Sequence, residues 1–135
     1  MKNNIQPLYF SGYACIFNLV DGNEEILGRN CFINFEKNIP ILNSHDSNDK
    51  IGNINKITQN NTGLFVSGVV FDEKIAQKIE HRLLYGLSIG YFVIKEEVEQ
   101  NIKTIKMAKL VEVSLVSNPA NSFAIIIRFS RSQRN

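Results

Sequence analysis

The sequence holds no tryptophan, only three prolines and two cysteines in 135 residues, and its charges nearly cancel. Each scarcity removes a class of protein. Cys15 and Cys31 lie far apart in the chain, and neither sits beside a histidine. That spacing makes neither a disulfide framework nor a zinc-ligand pattern. Both have apolar neighbours, so buried free thiols in a reducing cytoplasm are expected. Fifteen Lys and Arg against thirteen Asp and Glu leave +2, too little for a surface built to hold nucleic acid. The longest apolar run is a few residues, far short of a membrane span. The polar opening Met1–Gln6, with no apolar segment after it, predicts no secretory signal. No repeat or low-complexity stretch interrupts the chain.

What remains is globular: 44% hydrophobic and 21% charged residues, in a length that suits one domain. A chain of this size buries roughly two-thirds of the surface its unfolded form exposes, enough for one core. We expect a single domain over 1–129 and a short basic tail over 130–135. Arg128, Arg131 and Arg134 lie near that end with no acid among them, as an interaction arm or a solvated terminus.

Most of the chain reads as strands. Leu8–Val20 is rich in aromatic and β-branched residues and stops at the turn signal Asp21-Gly22-Asn23. Gly12 within it suggests a bulge or a close backbone approach. Phe32–Glu36 reads as a short helical turn. Ile39–Leu42 is a short strand in which Pro40 argues for an edge or a strand start. Asn43–Lys50 is a polar loop. Ile51–Thr58 and Leu64–Phe71 form a hairpin across Gln59–Gly63. One helix follows, with Asp72 as N-cap, Ile75, Ile79 and Leu83 on its apolar face, and Gly86 as its closing glycine. Leu87–Glu96, Lys103–Ser117 and Phe123–Phe129 complete a mostly antiparallel β domain, expected as a barrel or curled sheet with a flanking helix. Tyr9, Phe10, Phe65, Phe71 and Phe92 are expected in the core.

Three places could carry chemistry. His45 follows a strand on a polar loop with Asp46 and Asp49, where an imidazole could accept a proton; a solvated loop histidine is the plainer explanation. Gly86-Leu87-Ser88-Ile89-Gly90 matches G-x-S-x-G, but a helix precedes it and a strand follows. That reverses the order of the α/β-hydrolase elbow, and no histidine lies beyond Ser88. What is left is a serine between glycines, open to a substrate backbone or simply a tight turn. In Leu110–Ser117, alternation puts Glu112 and Ser114 on one strand face. A carboxylate there costs energy unless paired, and a histidine is a natural partner; a solvent-facing glutamate is the simpler alternative. Ser114 is a rival nucleophile, or a packing and hydrogen-bonding residue. His81 reads as a solvated residue on the polar side of the helix.

Taken together and in order, these segments resemble the prohead proteases of the phage HK97 type. The likeness begins at Ser11-Gly12-Tyr13-Ala14 and Phe17-Asn18. It continues through Leu42-Asn43-Ser44-His45-Asp46, Ile51-Gly52 and Gly63-Leu64-Phe65-Val66. It is sharpest at Tyr85–Tyr91 and at Glu112–Asn121. The resemblance implies a fold like that of the herpesvirus assemblin proteases, a β-barrel ringed by helices. It implies Ser88 as nucleophile, His45 as base and Glu112 as the third member, a position held by a second histidine in the herpesvirus relatives; Asp46 is the competing orienter of His45. The turn Ser117–Asn121 resembles the one that supplies oxyanion donors. No metal and no cofactor are implied. The implied partners are the major capsid protein or scaffold protein, with possible self-association, inside the assembling procapsid in the bacterial cytoplasm. Family members often continue well past the barrel, where this sequence has a short basic tail. A histidine base predicts activity rising through about pH 6 to 8. A catalytically inactive barrel acting in assembly or as a binding module is the alternative, and a nucleic-acid-binding barrel would need a basic groove with exposed aromatics.

Overall fold

Alternation along the first strand sets the pattern for the sheet. In β1 (Leu8–Ile16), Leu8, Phe10 and Ala14 point inward and are buried, while Tyr9, Ser11 and Tyr13 lie on the other face and are half-exposed. The period of two follows from the pleat. The computed structural model describes residues 6–22 and 24–132. Met1–Ile5 of the polar opening, Asn23 of the turn signal and Arg134 of the tail lie outside the described residues.

After β1 come β2 (Glu25–Leu27), β3 (Pro40–Asn43), β4 (Asp46–Gln59), β5 (Gly63–Val70), the helix α1 (Glu73–Glu80), β6 (Gly86–Glu99), β7 (Ile102–Val116) and β8 (Ile126–Ser130). They form one sheet in the order β2-β7-β3-β4-β5-β1-β8, with β6 also on β7. β6 pairs along the whole length of β7, from Glu99–Ile102 to Gly86–Val116. β2 and β3 therefore share the other side of β7, both parallel to it, β2 at Lys103–Ile105 and β3 at Val113–Leu115. The remaining ladders are antiparallel.

Of the closed or curled barrel expected, the ladders do not make the closed form. Ile125, just before β8, meets β6 at an isolated bridge to Gly86, flanked by two 2.8 Å bonds: Leu87 N–H to Ala124 O and Ile126 N–H to Tyr85 O. Among the described residues the fold is mostly β with one short helix, and its sheet is not closed into a barrel. Among the described residues no ladder joins β8 to β6.

The core runs between the inner faces. Leu8, Ile41, Leu64, Leu87, Ile105, Leu110, Val113 and Leu115 are almost wholly buried, and each such side chain contributes on the order of 1.5–3 kcal/mol. Cys15 and Cys31 are buried free thiols, and burial pushes each up to about 12. They stay protonated and inert.

Several expectations are corrected. β4 begins at Asp46, so the loop expected over 43–50 is mostly strand; its first residues are exposed and polar on both faces, which hides the strand signal. Pro40 does start β3, but β3 is an inner strand between β4 and β7. Phe32–Glu36 is not helical; Phe32 bridges Ala108. β2 was not expected, and Val20 lies past the end of β1, bridged to Ile26. α1 starts as expected, with Asp72 Oδ1 accepting the Ile75 N–H at 3.0 Å. It ends at Glu80, with His81 as C-cap and Arg82, not Gly86, in the left-handed region at φ 59°. Leu83 thus falls outside the helix and is 72% exposed, while Leu84 enters the core. Phe71 and Phe92 are exposed rather than buried. Gly12 does mark a bulge, in the β1–β8 register. β8 runs to Ser130. Arg131 then pairs with both Glu73 and Glu80 at 2.8–3.0 Å and donates to Gln6 O.

Candidate active site

β7 carries the site's foundation. Val113 and Leu115 turn into the core, so Glu112 and Ser114 share the outer face. Across the ladder, Ser88 of β6 stands opposite Ser114, and Gly90 stands opposite Glu112. Directly opposed residues share a face, so register alone sets Ser88 beside the Glu112–Ser114 pair.

His45 arrives from the other side of β7. β3 runs parallel to β7 as far as Asn43–Leu115. The chain then reverses through Ser44 and His45 at φ 50° and 64°, the left-handed pair of a two-residue hairpin turn. Side-chain-bearing residues adopt this conformation at some cost. Here two hydrogen bonds to β7 hold it. Ser44 N–H donates to Leu115 O at 3.0 Å, and His45 N–H donates to Ser114 Oγ at 2.9 Å. Three neighbouring strands therefore aim their polar groups at one spot.

The contacts form a chain. Ser114 Oγ donates to Glu112 Oε1 at 2.8 Å. Glu112 Oε2 lies 2.6 Å from His45 Nδ1, and His45 Nε2 lies 3.0 Å from Ser88 Oγ. An ionised carboxylate only accepts, so Nδ1 carries the proton and Nε2 is left to accept from the Ser88 hydroxyl. Glu112 is 8% exposed and Ser114 is fully buried, yet both carboxylate oxygens have partners. The imidazole is 43% exposed.

The two glycines of G-x-S-x-G are explained by what faces them. A Cβ on Gly90 would sit 2.4 Å from Glu112 Oε2, in the space of the carboxylate that holds His45. A Cβ on Gly86 would lie 2.5 Å from Val116 O and 2.8 Å from Pro119 Cδ. The motif is thus a requirement of the strand pair, unrelated to a strand–turn–helix elbow.

Among the residues read from the sequence, His45, Ser88 and Glu112 converge, and Ser114 joins them as a hydrogen-bonding residue. Asp46 does not reach the ring's Nδ1; its Oδ1 accepts Asn48 N–H at 2.9 Å. His81 is exposed and remote from these contacts. The turn after β7 comes close: Ala120 and Asn121 border a cavity of about 90 Å³ that Ser88 also lines. Two features were missed. The two-residue turn under His45 could have been found from Asn43-Ser44-His45-Asp46 had the polar stretch after it been read as strand. Tyr91, whose hydroxyl donates to Glu25 Oε1 at 2.7 Å, had no signal in sequence. Burial, reinforced by that carboxylate, raises its phenol well above the ordinary range.

The fold has known counterparts. The KSHV protease in complex with a hexapeptide phosphonate inhibitor aligns over 93% of this chain with a TM-score of 0.60 at 14% identity; the chain spans 65% of that protein. A second KSHV protease structure aligns over 94% of this chain, TM-score 0.56, 15% identity, and 62% of that protein is covered. The chain therefore has the herpesvirus protease fold while spanning under two-thirds of those proteins' length. No curated protein matches it by sequence. The family model described as caudovirus prohead serine protease, Peptidase_S78, matches residues 2–135. With that match over nearly the whole chain, the protein belongs to the caudovirus prohead serine protease family.

Proposed function

We propose that the chain is a serine endopeptidase that trims the scaffold protein, or the scaffold-like N-terminal arm of the major capsid protein, inside the phage procapsid in the host cytoplasm. The observation that supports this reading best is the continuous relay from Glu112 Oε2 through His45 to Ser88 Oγ, at 2.6 and 3.0 Å.

In the proposed mechanism Ser88 Oγ attacks the peptide carbonyl carbon and His45 Nε2 takes the hydroxyl proton. Glu112 holds the ring in the needed tautomer and stabilises the imidazolium. The tetrahedral oxyanion is held by backbone amides of the turn 117–121, each such donor being worth about 100- to 1000-fold in rate. His45 then returns the proton to the amine, the C–N bond breaks, and an acyl-enzyme remains on Ser88. Water, activated by the same imidazole, attacks the ester carbon and frees the acid and the serine. Neither a metal nor a cofactor enters these steps.

The test is co-expression with a capsid protein of the same phage, read by intact mass, for wild type and Ser88→Ala. The expected result is a capsid protein shortened at its N-terminus only with wild type, with loss on the order of 10⁶-fold in the variant. A capsid protein that stays whole with both, yet assembles when this chain is present, supports an assembly role for an inactive relative instead.

A further inference from the structure

We propose that the cavity beside Ser88 is the pocket for the side chain on the acyl side of the cleaved bond, and that it selects a mid-sized aliphatic residue such as leucine. The proposal rests on the peptidase reading above and names the substrate feature that reading leaves open.

Position comes first. Ser88 turns outward to His45, while its neighbours Leu87 and Ile89 turn inward. All three line the cavity, which lies where β6, unpaired on this side except at Gly86, faces β1. The carbon that Ser88 Oγ attacks is bonded to the Cα bearing the acyl-side residue's side chain. Of all substrate side chains, that one is nearest to Ser88.

Size and chemistry then narrow the residue. The cavity measures about 90 Å³, smaller than the roughly 150 Å³ cavity that encloses a benzene ring. A leucine-sized side chain fills that space. A methyl group leaves most of it empty, and an aromatic ring overfills it. Ala14, Ile16, Leu19, Leu27 and Ala124 supply apolar wall. Several polar groups of the wall are already engaged: Tyr91 donates its hydroxyl proton to Glu25, Asn121 Oδ1 accepts the Phe123 N–H at 2.8 Å, and the buried Cys15 is a protonated thiol. A charged side chain entering an apolar wall loses hydration it does not recover. Asp21 is the charged residue of the lining, which makes lysine the rival guest that the experiment must separate.

The test uses diphenyl phosphonates on a common short peptide, differing only in the side chain next to phosphorus: Ala, Leu, Phe, Lys or Asp. Ser88 Oγ attacks phosphorus, an O–P bond forms, and phenoxide leaves. The rate of mass gain is followed by intact mass, with a small fluorophosphonate lacking any side chain as reference. The expected order has Leu at least about 10-fold faster than Ala and Phe, with Lys and Asp slower still. Leu19→Ala, at a 43% exposed position, should move the optimum toward Phe; Ala120→Leu should move it toward Ala. A flat series with Ser88 still labelled overturns the pocket and leaves the peptidase reading intact. A preference for Ala overturns the size argument, and a preference for Lys overturns the apolar selection. A folded protein that neither the series nor the reference labels at Ser88 overturns the peptidase reading, and the pocket with it.

Discussion

The two faces of the β6–β7 pair carry different residues for different ends. On the inner face Leu87, Ile89, Val113 and Leu115 stack in register and merge with the core. On the outer face, one residue away at each step, stand Ser88, Gly90, Glu112 and Ser114. The same ladder serves both. The inner residues secure register, since a one-residue slip would turn every one of them to solvent. The outer residues use that register to set Ser88 and Glu112 at fixed places under His45. Stability and chemistry are thus interleaved along the same strands, and substitutions on the two faces should separate them.

The largest effect is expected on the outer face. Glu112→Gln keeps the shape but removes the charge that fixes the His45 tautomer. Cleavage should fall by about 10⁴-fold, while the thermal unfolding midpoint moves far less than for any inner-face truncation. Next comes Leu115→Ala on the inner face. A fully buried leucine cut to alanine costs about 2–5 kcal/mol, so denaturant unfolding should shift strongly. The fraction that stays folded should retain most of its rate per molecule. A Leu115→Ala protein with full stability and no activity would erase the distinction between the faces.

Gly90→Ala sharpens the comparison, because it adds one methyl group to the outer face where Glu112 already sits. The carboxylate must move, and a displacement of about 1 Å can cost about 100-fold in rate. Activity should fall with little loss of stability, and a fluorophosphonate should still reach Ser88, more slowly. Full activity in Gly90→Ala would mean that the carboxylate's position is not what the motif's second glycine protects.

The smallest effect lies off the hairpin. Hydrogen bonds from Arg131 hold the Glu73 and Glu80 carboxyls below the ordinary carboxylate value of 4.5. Depressed values stabilise the fold above the ordinary range, and that contribution is lost as pH falls through the lowered values. These groups are solvent-accessible, so the effect is small. The melting-temperature gap between wild type and Arg131→Ala should be modest at pH 7 and narrow as the pH falls through the lowered carboxyl values. Cleavage of a peptide at pH 7 should not register the change.

Much of the inner face was legible in the sequence, because strands with one buried side write their register as alternation. Val113 and Leu115 place Glu112 with Ser114 by counting alone, and Asp72 with Ile75 and Ile79 marks the start of the helix. Legibility fails where both faces meet solvent. The first residues of β4 are polar throughout, so strand there looks like loop, and the turn beneath His45 was hidden with it. The far half of β6 carries exposed Phe92, which reads as core in sequence, with Ile94 and Val98 exposed beyond it. Arg82 took the left-handed position expected of Gly86, because the helix stops after eight residues. The meeting of Glu112 with His45 depends on the parallel β3–β7 pairing across about seventy residues of chain, which no local pattern records. The likeness of Glu112–Asn121 and Tyr85–Tyr91 to a known family brought these residues together before any geometry did.

Ser88, and not the neighbouring Ser114, is the proposed nucleophile activated by His45. The most direct test treats the folded protein with a small fluorophosphonate and maps the adduct by peptide mass. A single adduct on Ser88, absent in His45→Ala, is the expected result. An adduct on Ser114, or a Ser88 that reacts equally well without His45, would contradict it.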